Sequence, residues 1–381
     1  MWIETTEELE GFCRELSGVP YITVDTEFVR VKTYRPVLCL VQIGYEGKGA
    51  VIDVMSERMD PTSLKNLLLD PNILKVFHAA AQDLEIFSYV LGQLPTPLFD
   101  TQIAAAFCGL GDQVGYAGLV QSLVGSSVDK SSQNTDWARR PLTPRQIEYA
   151  LGDVTHLCRI YRELVKRLEK LGRESWVEVE FRALEDPERY HTKPREAYKR
   201  VKIRRPKRRQ LSILREVAAW REETAIEKNL PRHWVLKDDA LVEIALNAPR
   251  NERQLQRVRN LNLKSRQQEE ILDAIQTGVE LPEEQCPPLP VSKGGGRVDD
   301  TLIALLQALL KLKCDGASIA TRLVAARSDL ESLAQGEKDI PVLQDWRREI
   351  FGDAALELLE GRLGLAGNGS GGVDIIIRGE S

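Results

Sequence analysis

The sequence lacks paired cysteines, clustered histidines and long apolar segments. Its six cysteines are scattered, and its four histidines are equally dispersed, so we expect reduced thiols and no zinc site. No apolar run reaches the roughly 20 residues that a membrane-spanning helix needs. The first eight residues are acidic, opposite to the charge of a secretion signal. These absences favour a cytoplasmic protein.

An overall positive charge is absent too, since the 381 residues carry a formal net charge of −5. The chain is long enough for two or three domains. Between Arg189 and Arg215, however, basic residues follow one another with Glu196 as the single acid. Such a basic block can bind phosphates; a solvated charged linker is the alternative interpretation. The candidate substrate-binding residues are Lys199, Arg200, Arg204, Arg205, Lys207, Arg208 and Arg209.

Two carboxylates end a segment with the pattern of a β-strand. Ile22 and Val24 alternate with Tyr21 and Thr23, and β-branched and aromatic residues in alternation are typical of strands. Side chains two apart on a strand share a face, so Asp25 and Glu27 should converge. Two converging carboxylates repel each other unless a cation lies between them.

Two further segments place acidic residues on predicted helices. A short strand over residues 73–77 precedes a helix over 79–90, which carries Asp83 in its first turn, where a carboxylate also suits the helix dipole. A long helix beginning near Pro144 and ending near Leu171 carries Tyr149 and Asp153, which share a face because they are four apart. Each of these features by itself is weak evidence for a catalytic site.

Together, Asp25, Glu27, Asp83, Tyr149 and Asp153 follow the three-motif order of the exonuclease family with four acidic residues and a tyrosine. The segments 24–28, 99–102 and 135–142 resemble those of ribonuclease D in particular. The resemblance covers residues 20–170 with specific motifs. It implies a ribonuclease-H-like fold and 3′–5′ exonuclease activity, with these five residues as the catalytic set.

Phosphodiester hydrolysis by such a site needs divalent metal ions, which activate water and stabilise the transition state. Four carboxylates suit Mg²⁺ or Mn²⁺ because both prefer oxygen ligands. The resemblance implies two ions, one held by Asp25, Glu27 and Asp153 and the other by Asp83 with Asp25. It also implies that Tyr149 orients the nucleophilic water, since its reference pKa of about 10 makes it a poor base.

After the basic block the pattern becomes helical. Residues 229–241 resemble part of the helicase-and-ribonuclease-D C-terminal domain, a small helical nucleic-acid-binding module, and residues 299–365 are interpreted as a second copy. The expected organisation is an exonuclease domain (1–186), a basic linker (187–209), a first helical domain (210–286), a Pro/Gly linker (287–298), a second helical domain (299–366) and a disordered tail (367–381).

The predicted fold is therefore an α/β mixed-sheet nuclease domain, with strands near 21–28, 38–44, 49–55 and 73–78 in an initial antiparallel meander, followed by two small all-α domains. The predicted function, taken from the resemblance, is removal of nucleotides from RNA 3′ ends, with transfer RNA precursors as the substrate class. A DNA 3′–5′ exonuclease and a catalytically silent nucleic-acid-binding scaffold are the open alternatives. The sequence does not determine the oligomeric state.

Overall fold

A computed structural model describes residues 1–129, 132–133, 135–259, 261, 263–289 and 299–377. Contacts divide these residues into two compact units. The first unit contains residues 1–27, 38–189 and 299–377, and the second contains residues 28–37 and 190–289. Within the described ranges, no helix has both the length and the apolar character needed to cross a membrane.

The first unit is built on a six-stranded sheet with the order β1-β4-β3-β2-β5-β6. Its strands are β1 (Trp2–Ile3), β2 (Tyr21–Val29), β3 (Val37–Tyr45), β4 (Lys48–Asp53), β5 (Leu74–Phe77) and β6 (Leu98–Asp100). Strands β3 and β4 pair antiparallel, whereas β5 pairs in parallel with both β2 and β6. The mixed sheet confirms the predicted fold class.

The α-helices that accompany this sheet in the described part of the chain are α1 (Thr6–Glu15), α2 (Thr62–Leu69), α3 (Ala81–Leu91), α4 (Thr101–Phe107), α5 (Tyr116–Leu119), α6 (Pro144–Leu171) and α7 (Glu174–Leu184). The bounds of α6 follow from its sequence. Thr143 and Gln146 form a capping box before Pro144, and Gly172 ends the helix with a φ of 63°.

Helix α6 lies unusually close to the sheet at Gly44 in β3. A Cβ atom at this position would lie 2.6 Å from Thr23 Oγ1 and 2.9 Å from the carbonyl oxygen of Val154, so only glycine fits. The Thr23 hydroxyl donates a hydrogen bond to that same carbonyl at 2.8 Å. The close approach brings Asp153, the neighbour of Val154, towards the end of β2.

The second unit is helical, with α8 (Arg208–Glu227), α9 (Arg232–Val235), α10 (Asp238–Asn247), α11 (Glu252–Leu255) and α12 (Ser265–Glu280). Its own core contains the fully buried Leu214, Val217, Leu241 and Ile271. The loop after β2 also belongs to this unit, because the Tyr34 hydroxyl donates to the buried Glu222 carboxylate.

The helices after residue 299 belong to the first unit. They are α13 (Asp300–Ala317), α14 (Thr321–Val324), α15 (Arg327–Ala334), α16 (Asp345–Arg347) and α17 (Asp353–Leu359). Trp346 in α16 is buried against the nuclease helices, with its ring centroid 4.8 Å from that of Phe107 and 5.8 Å from that of Trp176. This helical region therefore packs against helices α4 and α7 of the nuclease part.

The C-terminal segment differs from the expected disordered tail and from an all-α second domain. Strands β7 (Leu363–Gly367) and β8 (Val373–Ile377) form an antiparallel hairpin. The glycine and serine residues between them form the turn, while the β-branched residues of β8 favour a strand. Residues 290–298 of the predicted linker and residues 378–381 of the predicted tail lie outside the described residues.

Candidate active site

Strand β2 presents the first two carboxylates at its end. Residues 21–24 are buried in the sheet, whereas Asp25 and Glu27 are half-buried and share one face. Thr26 lies between them and is buried, and its hydroxyl donates a hydrogen bond to the Asp83 carboxylate. This bond ties the end of β2 to the first turn of α3.

The loop that precedes α3 is held by Asp100 at the end of β6. The Asp100 carboxylate accepts hydrogen bonds from the backbone N–H groups of Ala80 at 2.8 Å and Gln102 at 2.8 Å. It thereby stabilises both the start of α4 and the turn leading into α3. Asp100 thus supports the position of Asp83, which is 7% exposed.

Helix α6 supplies Tyr149 and Asp153 one turn apart. The backbone carbonyl of Asp153 accepts a hydrogen bond from the Tyr116 hydroxyl at 2.5 Å, and the Thr23 hydroxyl binds the next carbonyl along the helix. Two hydroxyl groups from outside the helix therefore fix this turn of α6. The Asp153 side chain itself is 8% exposed.

The structure brings the predicted carboxylates together. Oxygen atoms of Asp25, Glu27 and Asp153 all lie within 4.8 Å of one another. Asp83 is outside this triad, yet the Asp25 charge helps to raise the pKa of Asp83, after the larger effect of burial. The four acids therefore form one cluster, with Asp25 adjacent to all the others.

Burial and mutual repulsion disfavour the charged forms of these acids. Burial raises the pKa of Asp25 to about 6. Burial, followed by the charges of Asp25, Asp153 and Asp83, raises the pKa of Glu27 to about 10. Burial and the Asp25 charge raise the pKa of Asp153 to about 8, against the opposing effect of a hydrogen bond from Tyr149.

Such a cluster fits a divalent metal. Its donor atoms are all carboxylate oxygens, which hard cations such as Mg²⁺ and Mn²⁺ prefer. A cation bound among them would offset the repulsion that raises the pKa values, so that all of the acids could be ionised together at neutral pH. Asp25, Glu27 and Asp153 are the residues placed to hold such an ion.

Trp137 is a site residue that sequence reasoning missed as a functional candidate. It is 2% exposed, and its ring centroid lies 6.0 Å from that of Tyr149. Its side chain also opposes the rise in the pKa of Glu27. Arg140, three residues later, holds this segment on the sheet through two hydrogen bonds of 2.6 Å to Asp53. The sequence feature that could have identified Trp137 was its position within the 135–142 motif.

The properties of two other residues, Tyr149 and His78, also depend on contacts that the sequence does not reveal. Burial raises the pKa of Tyr149, and Asp153, Glu27 and Asp25 raise it further, so Tyr149 stays protonated. His78 Nδ1 lies 3.0 Å from the Thr101 hydroxyl. This hydrogen bond and the partial burial of the side chain are typical of a histidine with a structural role.

The predicted substrate-binding block divides into paired and unpaired residues. Lys199 forms an ion pair with Glu196. Arg208 donates to the carbonyl of Cys286, and Arg209 donates to the carbonyl of Leu281, so these two arginines hold the second unit together. Among the described residues, the remaining four side chains make no hydrogen bond or ion pair: Arg200, Arg204, Arg205 and Lys207.

Two known protein families match separate parts of this chain. The profile of the 3′–5′ exonuclease family matches residues 1–169, and that of the HRDC domain matches residues 210–275. The carboxylate cluster and the mixed sheet therefore define an enzyme of the 3′–5′ exonuclease class.

Full-length relatives narrow this class. The chain is 44% identical to ribonuclease D of Gluconacetobacter diazotrophicus over 97% of this chain and 95% of the relative. It is 42% identical to ribonuclease D of Granulibacter bethesdensis over 96% of this chain and 94% of the relative. The crystal structure of Escherichia coli RNase D, an exoribonuclease involved in structured RNA processing, has a TM-score of 0.82 and 31% identity, covering 95% of this chain and 98% of that one.

The chain belongs to the ribonuclease D family. It is accordingly a 3′–5′ exoribonuclease, as the sequence resemblance predicted. Exonucleases of this type depend on divalent metal ions, which agrees with the acidic cluster at the end of β2.

Proposed function

We propose that this enzyme shortens the 3′ ends of transfer RNA precursors with the help of two divalent metal ions, Mg²⁺ or Mn²⁺. The observation that supports the proposal is the convergence of Asp25, Glu27 and Asp153 within 4.8 Å. Burial raises the pKa values of all three acids, and repulsion raises those of Glu27 and Asp153 further. Bound cations would let all three carboxylates be ionised at neutral pH.

We assign Asp25, Glu27 and Asp153 to one ion and Asp83 with Asp25 to the other. These carboxylates would hold the metal ions, which when bound would lower the pKa of the attacking water and stabilise charge on the leaving oxygen. Asp25 belongs to both sets because its charge acts on Asp83 as well as on Glu27 and Asp153. Thr26 orients Asp83 through its hydroxyl.

Tyr149 has a different role in this proposal. Its raised pKa makes proton abstraction by its phenolate negligible at neutral pH. Its hydroxyl is well suited to orient the nucleophilic water beside Asp153, and Trp137 limits the movement of its ring. We therefore assign positioning of water to Tyr149.

We further propose that the chemistry lies in residues 1–186 and that the first helical domain (210–286), with the unpaired residues of the basic linker, holds RNA by its phosphates. The cytoplasm stays the expected compartment. It agrees with the six cysteines, which are free thiols in the structure.

The test uses a structured RNA labelled at its 3′ end in one sample and at its 5′ end in another. We expect early release of the 3′ label as mononucleotide and gradual shortening of the 5′-labelled strand, both abolished by a chelator and restored by Mg²⁺ or Mn²⁺. Faster turnover of a matched DNA oligomer would favour a DNA exonuclease. Absence of turnover with every RNA and excess Mn²⁺ would favour a silent scaffold.

A further inference from the structure

The second unit contains an open pocket of 330 Å³ outside the acidic cluster. Four cationic side chains and two carboxylates line it, together with His233. From its charge and its aromatic neighbour, we infer that this pocket binds one nucleotide of single-stranded RNA, with the phosphate among the cations and the base on Trp234. The inference rests on the proposed function, because it identifies where the helical domain holds RNA.

The two carboxylates of the pocket already have partners. Arg232 Nε lies 2.6 Å and 2.8 Å from the two oxygens of Glu222, which is fully buried. The Asp238 carboxylate accepts a hydrogen bond from Arg221 at 2.6 Å. The negative charge of the pocket is therefore neutralised from within.

Three other lining side chains have no such partner. Arg200, His233 and Lys237 line the pocket, and within the described residues none of their side chains forms a hydrogen bond or an ion pair. His233 and Lys237 are exposed. The two permanent cations in this group leave the pocket with an excess of positive charge, which favours a phosphate.

Arg221 provides a second, independent indication. Its side chain is 5% exposed, and its terminal nitrogen donates to the Leu236 carbonyl at 3.0 Å and to Asp238. Its Nε atom, however, is buried with no hydrogen-bond partner among the described residues. A buried donor without an acceptor is unfavourable. Because Arg221 lines the pocket, a small rotation of its side chain towards a bound phosphate would give this donor an acceptor.

Trp234 extends the site from a phosphate to a nucleotide. This residue follows His233 directly and is 54% exposed, although tryptophan is among the most apolar side chains. Its ring stands at 83° to the His233 ring, with 6.3 Å between centroids. His233, which the indole contacts, lines the cationic pocket. An exposed indole next to a cationic pocket suits single strands, because every base can stack on it. An acidic peptide would satisfy the cations and leave the ring exposed.

Binding is measured with the full-length chain in the presence of a chelator, so that the RNA is not cleaved. The probe is a fluorescent single-stranded RNA of about 12 nucleotides. We expect Arg200→Gln and Lys237→Gln each to weaken binding by about three- to tenfold and to reduce the slope of log affinity against log salt by about 0.7. Trp234→Ala should weaken binding about tenfold, and Trp234→Phe should restore most of the loss.

Arg253→Gln is the matched control, because Arg253 is an exposed arginine of the same unit, on α11, with no ion pair within the described residues. It should retain near wild-type affinity. The inference is overturned if the pocket variants bind no more weakly than Arg253→Gln, or if Trp234→Ala has no effect, as expected of a site for free phosphate. Since no turnover is measured, these results can be interpreted even if the proposed two-metal action on transfer RNA precursors is wrong.

Discussion

The two compact units of this chain carry opposite electrostatic arrangements. In the first, Asp25, Glu27 and Asp153 converge, burial raises their pKa values, and repulsion raises those of Glu27 and Asp153 further. In the second, Arg200 and Lys237 line a pocket whose carboxylates are already paired. Each arrangement calls for a ligand of the opposite charge, a divalent cation in one case and a phosphate in the other. Chemistry and RNA retention should therefore be separable by mutation.

The two helical regions differ in where their apolar side chains are buried. Residues 190–289 enclose their own core around Leu214 and Leu241. The region after residue 299 instead packs Trp346 against both Phe107 and Trp176 of the nuclease part. Similar helical sequence patterns thus lead to one self-contained unit and one region whose burial depends on the nuclease fold.

The largest effect is expected from Asp25→Asn. The amide keeps the size of the side chain and loses the charge on which both proposed metal sites depend, so turnover of a short RNA should fall at least about a thousandfold. Affinity for RNA in chelator should stay within about twofold of wild type, because the cationic pocket is unchanged. Single-turnover rates and binding curves measure the two quantities; activity within about tenfold of wild type would contradict a role for Asp25 in both sites.

Trp346→Ala tests the shared core of the first unit. Removing this buried ring should destabilise the nuclease by about 3–5 kcal/mol, so activity on a short RNA should be lost at a lower temperature than in the wild type. Leu241→Ala in the other core is the control, and it should leave thermal inactivation of short-RNA cleavage nearly unchanged. Equal inactivation temperatures for Trp346→Ala and the wild type would show that the C-terminal helices do not support the nuclease.

Tyr149→Phe should slow the chemical step by about 10- to 1000-fold, the range expected when a positioning group is lost. RNA affinity in chelator should not change, since Tyr149 is in the carboxylate unit. Rapid-quench measurement under single-turnover conditions isolates the step. An unchanged rate would assign Tyr149 to packing against Trp137 instead.

The last effect concerns pH and the stability of the metal-free first unit. The folded pKa values of Asp25, Asp153 and Glu27, about 6, 8 and 10, lie above their unfolded values of about 4. The folded state therefore binds more protons, and its stability should fall as pH rises from 6 to 9. Thermal unfolding in chelator measures this decline.

Mg²⁺ should flatten this pH dependence, because the cation neutralises the ionised carboxylates. Glu27→Gln should flatten it in chelator as well, since the amide cannot ionise. A metal-free wild type whose unfolding temperature rises between pH 6 and pH 9, relative to Glu27→Gln, would contradict the raised pKa values.

Much of the fold and the site follows from local patterns. Strand alternation placed Asp25 and Glu27 on one face, and the bounds of α6 followed from Thr143, Pro144 and Gly172. Local patterns could not show which residues of the basic block have structural partners and which are available to bind phosphates. Arg208 and Arg209 have the same charge as Arg200, and their structural bonds are to carbonyls about 70 or more positions away.

The sequence by itself determined which acids are candidates for the active site, the strand and helices that carry them, and the change to helical structure after the basic block. These features depend on periodicity, capping and residue type, which act over a few neighbouring positions. The tertiary structure alone decided that Thr26 binds Asp83, that Trp137 packs near Tyr149 and that Trp346 joins the nuclease core. Each of these contacts joins residues distant in the chain, and their proximity depends on how whole elements pack.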